Sequence, residues 1–132
     1  MLGAMKIEVR QINPKCGEIW MCNLTEKEGS IQAGYRPVFV LSNDKNNTFS
    51  PTLNVIPITS KMSKKYLPIH VSLWDYQLYG LRKPSTMLVE QITTVSVDKL
   101  ETRVGVIKDM DTLTKIHKAM EIQFPILTLF SS

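Results

Sequence analysis

One basic side chain sits where chemistry is easiest to imagine. In "GSIQAGYRPVFVLSND", residues 29–44, a glycine-bearing loop stiffens into a β-branched, apolar run, and Arg36 stands at the junction. The loop nearly fits a phosphate-binding P-loop, with four residues between Gly29 and Gly34. Tyr35-Arg36 then replaces the required Lys-Ser/Thr, and a strand pattern follows instead of a helix, which excludes nucleotide hydrolysis of that kind. Neither Ser30 nor Ser60 lies in a G-x-S-x-G elbow, so a serine hydrolase does not fit. His70 and His117 are too far apart for a local metal spacing, and no Cys/His cluster exists to hold zinc. What remains is a metal-free phosphodiester reaction. RNA carries its own nucleophile, the 2′-hydroxyl, so a protein needs only proton transfer and stabilisation of a crowded anionic phosphorus. A guanidinium offers five donors in a planar fork and keeps its charge. A hydroxyl such as that of Thr59 can fix a phosphate oxygen, and donors aimed at developing charge are commonly worth about 3–4 kcal/mol each.

The elements that must position these groups read as short strands. "CGEIWMCNL" from Cys16, "RPVFVLS", "TLNVIPITS" and "PIHVSL" follow one another, and "STMLVEQITTVSV" gives one long strand or two meeting near Gln91. "NDKNNTFSP" reads as a turn-rich connection and "WDYQLYGLRKP" as an aromatic-rich excursion. Pro57 inside the third strand predicts an edge or a bulge. Near the C-terminus, Leu113, His117, Met120 and Phe124 recur at helical spacing, with Asp109 or Asp111 as cap. This places His117 in the packing and the Met110–Phe124 face in a core or interface. Trp20 is expected in the core; Trp74 and Tyr79 fit base stacking and packing equally. Strands that are not interleaved with long helices exclude a doubly wound fold. The prediction is a mainly β (α+β) domain: a small barrel or strongly curved antiparallel sheet with one C-terminal helix.

At 132 residues with 43% hydrophobic and 21% charged content, the chain is sized and composed for one domain. Residues 1–14 are read as an extension, its "MLGAM" start extraneous to the fold, and residues 15–132 as the single domain. No apolar run approaches the ~20 residues of a membrane helix, and no secretory signal pattern is present. Net charge is +4 with a pI near 9.1, compatible with a polyanionic partner. Lysines also gather in "SKMSKKY" (60–66). Cys16 and Cys22 fall in one strand roughly 20 Å apart at ~3.3 Å per residue, too far to pair with each other. A reducing cytoplasm is the expected compartment.

The ordered series "GEIW…GSIQAGYRPVFVLSND…TLNVIPITS…PIHVSL…YGLRKPSTMLVEQITTV" resembles the MazF/PemK/Kid family of toxin endoribonucleases from toxin–antitoxin systems, from about Cys16 to Phe124. "GYRPVFVLSND", "VIPITS" and "MLVEQI" are its most specific parts. The resemblance implies an SH3-like β-barrel with helices and a two-fold homodimer binding single-stranded RNA. It implies cleavage at short sequences, independent of ribosome and metal and without a cofactor, leaving 2′,3′-cyclic phosphate and 5′-hydroxyl ends. It also implies an antitoxin partner, expected to lay an acidic, otherwise disordered segment across the basic groove.

Carried over by the resemblance, Arg36 and Thr59 are the catalytic residues. Ser30 and Gln32 line the RNA groove, and Glu90 and Gln91 match the base-contacting "EQI" region. Ser60 and His70 are taken as further RNA-binding residues. Ile31 stands where many relatives carry a carboxylate ("GSEQGG" against "GSIQAG"), which predicts an altered target sequence or a slower enzyme. An arginine is an awkward base, so Arg36 acts either by charge or through a shifted proton affinity. Two other readings are carried along. One is a CcdB-like toxin that binds DNA gyrase; it requires a Trp-Gly-Ile ending, whereas this chain reads Leu129-Phe130-Ser131-Ser132. The other is a family member reduced to a binding module by loss of the acid at position 31.

Overall fold

A computed structural model describes residues 12–24, 34–61 and 67–129. Seven strands form one antiparallel sheet: β1 Glu18–Leu24, β2 Gly34–Val40, β3 Thr52–Thr59, β4 His70–Leu73, β5 Ser85–Leu88, β6 Thr93–Ser96 and β7 Leu100–Val106. Helix α1 is Asp44–Phe49 and helix α2 is Met110–Gln123. The order across the sheet is β4-β5-β3-β2-β1-β7, with β6 paired to β3 off this path. Among the described residues β4 and β7 do not meet, so the sheet is strongly curved and open.

Alternation along the strands sends side chains to two faces. One face carries Ile19, Phe39, Ile56, Ile58, Val71, Leu73 and Met87, which pack with Ile116 and Ala119 of α2. The other carries Trp20, Cys22, Leu24, Val38, Val40, Leu53 and Val55, closed by Leu100. Trp20 is therefore core, as its sequence context predicts. Tyr79 is packing too: it is buried, and its hydroxyl donates to Asp109 Oδ1 at 2.6 Å. Trp74 is exposed.

The edge expected from Pro57 is not found: β3 is the strand that two ladders share. On one side it pairs with β2. On the other, residues 52–55 pair with β6 and residues 58–59 with β5. Pro57 falls in the changeover between those partners, where a missing N–H removes no ladder bond on that side.

Three further readings are corrected. "NDKNNTF" folds as α1, because the Asn43 side chain accepts from Asn46 N–H at 2.8 Å and caps it. Strand β7 has no counterpart in the sequence reading; its burial does not alternate, so period-two patterning gives no signal. On α2 the predicted stripe is rotated. Thr112, Ile116 and Ala119 are buried, Leu113 and Met120 only partly, and His117 and Met110 lie exposed. The contact line runs through Ile116 flanked by the smaller Thr112 and Ala119, which weighting by large apolar side chains overlooks. "STMLVEQITTVSV" resolves into β5 and β6, separated by a 3-10 turn at Val89–Gln91.

Candidate functional site

Arg36 lies in the first half of β2, directly across from Cys22 of β1. Gly34 opens that strand at φ +85, a left-handed conformation that glycine adopts without strain, so the loop turns into β2 two residues before the arginine. The β2–β3 ladder pairs Val38 with Pro57. The recorded pairs end there, and Arg36 on β2 and Thr59 on β3 each lie two residues further towards the same end of the sheet. Both side chains then share the sheet face of Val38 and Val55, at its open end.

Arg36 is half-buried and Thr59 is buried, 6% exposed. The Thr59 hydroxyl oxygen accepts from the Lys61 N–H at 3.1 Å, which fixes its rotamer and leaves the proton to donate. The pair can thus present a fixed positive charge and one oriented hydroxyl to an anionic oxygen.

Arg36, though not Thr59, borders a groove of about 740 Å³. Four cationic residues of the described chain border it: Arg36, Arg82, Lys83 and Arg103. Arg103 Nε donates to Glu18 Oε2 at 2.7 Å, while Glu18 Oε1 accepts from Trp20 Nε1 at 3.0 Å and Lys15 N–H at 2.8 Å. Burial pushes the Glu18 acid up, but these hydrogen bonds outweigh it and the net pKa is lowered. Glu18 is thereby held ionised against Arg103. Tyr35 borders the same groove, and its hydroxyl donates to the Glu101 carboxylate. That hydrogen bond, with some burial, raises the phenol's pKa.

Of the residues singled out in the sequence, the structure gathers Arg36, Thr59 and His70 on one face. Ser60 is exposed and borders the groove, but strand alternation turns it away from Thr59. His70 Nε2 stands 3.0 Å from Glu90 Oε2. The other carboxylate oxygen, Glu90 Oε1, is buried with no partner among the described residues. Gln91 is buried, 9% exposed. Ser30, Gln32 and Ile31 lie outside the described residues. Sequence reasoning missed Arg82, Lys83 and Arg103. The "RK" pair after "YGL" was a visible signal, whereas Arg103 belongs to the unrecognised β7. Among the described residues no group of three or more His, Cys, Asp or Glu is placed to hold a metal ion, and no helix is long and apolar enough to cross a membrane.

Comparison with known proteins bears on the family and the fold. A family model described as "PemK-like, MazF-like toxin of type II toxin-antitoxin system" matches residues 15–124. The chain is 35% identical over 113 residues to "Endoribonuclease EndoA" of Bacillus subtilis (strain 168), covering 86% of this chain and 96% of that protein. It is 32% identical over 115 residues to "Endoribonuclease MazF" of Staphylococcus saprophyticus, covering 87% and 94%. Among solved structures, MazF (Form-I) from Deinococcus radiodurans shares the fold with a TM-score of 0.71 at 22% identity, covering 87% of this chain and 99% of that one. A mycobacterial endoribonuclease in complex with its cognate antitoxin gives 0.65 at 20% identity, covering 86% and 96%.

Proposed function

Because the chain belongs to the PemK-like, MazF-like toxin family of type II toxin–antitoxin systems, we propose that it is an endoribonuclease that cuts single-stranded RNA at short sequences without a metal ion. The observation that supports this reading is Arg36 bordering a cation-lined groove, at the end of the sheet where the neighbouring strand carries Thr59. The 2′-oxygen attacks the adjacent phosphorus as its proton leaves, and the bond from phosphorus to the 5′-oxygen breaks. The departing 5′-oxygen takes up a proton, so the ends are a 2′,3′-cyclic phosphate and a 5′-hydroxyl.

Arg36 acts here by charge: its fork neutralises the phosphorane that forms in the transition state. Thr59 donates to a non-bridging oxygen. Ser30, Gln32, Ser60, His70, Glu90 and Gln91 contact the RNA strand on either side of the cut. The active assembly is a homodimer in the cytoplasm, and an antitoxin with an acidic segment occupies the groove and silences it. The names of the relatives support the activity, and the solved toxin–antitoxin complex of a protein with this fold supports the partner.

The test is digestion of a long mixed-sequence transcript in the presence of a chelator, with mapping of the new ends. Cleavage at recurring short motifs with cyclic-phosphate ends, reduced at least a hundredfold in Arg36→Ala, is the expected result. An intact transcript, or undiminished cutting by Arg36→Ala, overturns the reading.

A further inference from the structure

Strand pairing places Thr59 opposite Thr86, and Thr86 opposite Ser72. Directly opposed residues of an antiparallel sheet share a face, with Cβ atoms about 4.5–5.5 Å apart. Thr86 is therefore the immediate neighbour of Thr59 on the side away from Arg36. The alternate positions of these strands, Ile58, Met87, Val71 and Leu73, are buried in the cluster under α2. Thr86 hence faces the same side as the Arg36–Thr59 pair.

Exposure rises along this line, from buried Thr59 through half-buried Thr86 to exposed Ser72. The Thr59 oxygen is occupied by the Lys61 N–H. Among the described residues, no side chain or backbone group hydrogen-bonds the Thr86 hydroxyl. A half-buried hydroxyl directly beside an oriented second hydroxyl, with a guanidinium on that hydroxyl's far side, is placed to bind the second oxygen of an anion held there.

Resting on the RNA-cleavage reading above, we propose that Thr86 is a further phosphate-contacting residue of the site. Its hydroxyl donates to one non-bridging oxygen of the reacting phosphate while Thr59 donates to the other. Arg36 spans the same phosphate from the opposite flank.

Threonine pairs also occur in sheets for packing alone, and the two roles respond oppositely to substitution. Thr86→Val keeps the branched shape and removes the hydroxyl; Thr86→Ser keeps the hydroxyl and removes the methyl. Single-turnover cleavage of the mixed transcript should fall about ten- to a hundredfold in Thr86→Val, the range for a lost hydrogen bond to a charged group. Thr86→Ser should stay within about threefold of the parent. Binding of a mixed-sequence 2′-O-methyl RNA pool, which keeps the phosphates but lacks the nucleophile, should weaken in the same order. If Thr86→Val cuts and binds like the parent, or Thr86→Ser is the more impaired, the assignment fails while the Arg36 reading stands. If the parent leaves RNA intact, the enzymatic reading fails, and the 2′-O-methyl binding order alone decides whether Thr86 meets phosphate.

Discussion

His70 and Glu90 are joined at 3.0 Å, Nε2 to Oε2, between β4 and the turn that follows β5. That contact engages Nε2 with a protein carboxyl group instead of leaving it open to a ribose. The residue that looks most like a proton shuttle is thereby tied into positioning. Histidine acid–base catalysis typically contributes 10²–10⁴-fold. His70→Asn should instead leave the single-turnover cleavage rate within about fivefold of the parent. A loss of a hundredfold or more would return His70 to the chemistry.

Glu90 Oε1 is a buried acceptor without a described partner, and the ring N–H groups and exocyclic amines of unpaired bases are donors that can reach such an oxygen. Glu90→Gln can keep the acceptor used by His70 while exchanging this oxygen for an amide nitrogen. The mapped cleavage motif should then lose its preference at one position, by the ~1–3 kcal/mol that a good base contact provides. An unchanged motif across a whole transcript would count against base reading by Glu90.

The groove cations make a separate, quantitative prediction. Each phosphate neutralised on a single strand adds about 0.7 to the slope of log affinity against log salt. Arg82→Gln with Lys83→Gln should lower that slope by about 1.4 for 2′-O-methyl RNA. Arg103→Gln should change it less, because Glu18 already holds that guanidinium. Equal slopes for parent and double variant would remove Arg82 and Lys83 from the strand's path.

Asp109 links the fold to acidity. Hydrogen bonds from Thr112 and Tyr79 outweigh burial and lower its pKa from 3.8 to about 2. The unfolded chain binds this proton first, so the carboxylate's contribution is complete above about pH 4 and is lost as pH falls towards 2. Denaturation curves should show Asp109→Asn less stable near neutrality, with the gap to the parent narrowing through that window. A gap that stays constant down to pH 2 would show the cap to be electrically idle.

The sequence exposed the strands that alternate and the loop-to-strand junction at Arg36. Strand β7 escaped because its half-exposed residues show no period of two. The contact face of α2 was misjudged because Thr112 and Ala119 pack by closeness, while Leu113 and His117 advertise size. At the candidate site, Arg36 and Thr59 were legible as residue types in motif context, but their place at one end of neighbouring strands is a property of register. Arg82 and Lys83 were visible as a basic pair, whereas their place at the groove, like that of Thr86 beside Thr59, emerged only once β5 and the turn before it were set beside β3.

β3 pairs with β2 on one flank and with β6 and β5 on the other, so this strand cannot detach by fraying as an edge. Its release requires two ladders to open together, which is close to global unfolding. Amide protons at Val55, Ile56 and Ile58 should therefore rank among the last to exchange with deuterated solvent, while those of β4 exchange sooner. On the proposed reading, such a toxin carries one of its two reacting groups at the end of a strand anchored from both sides.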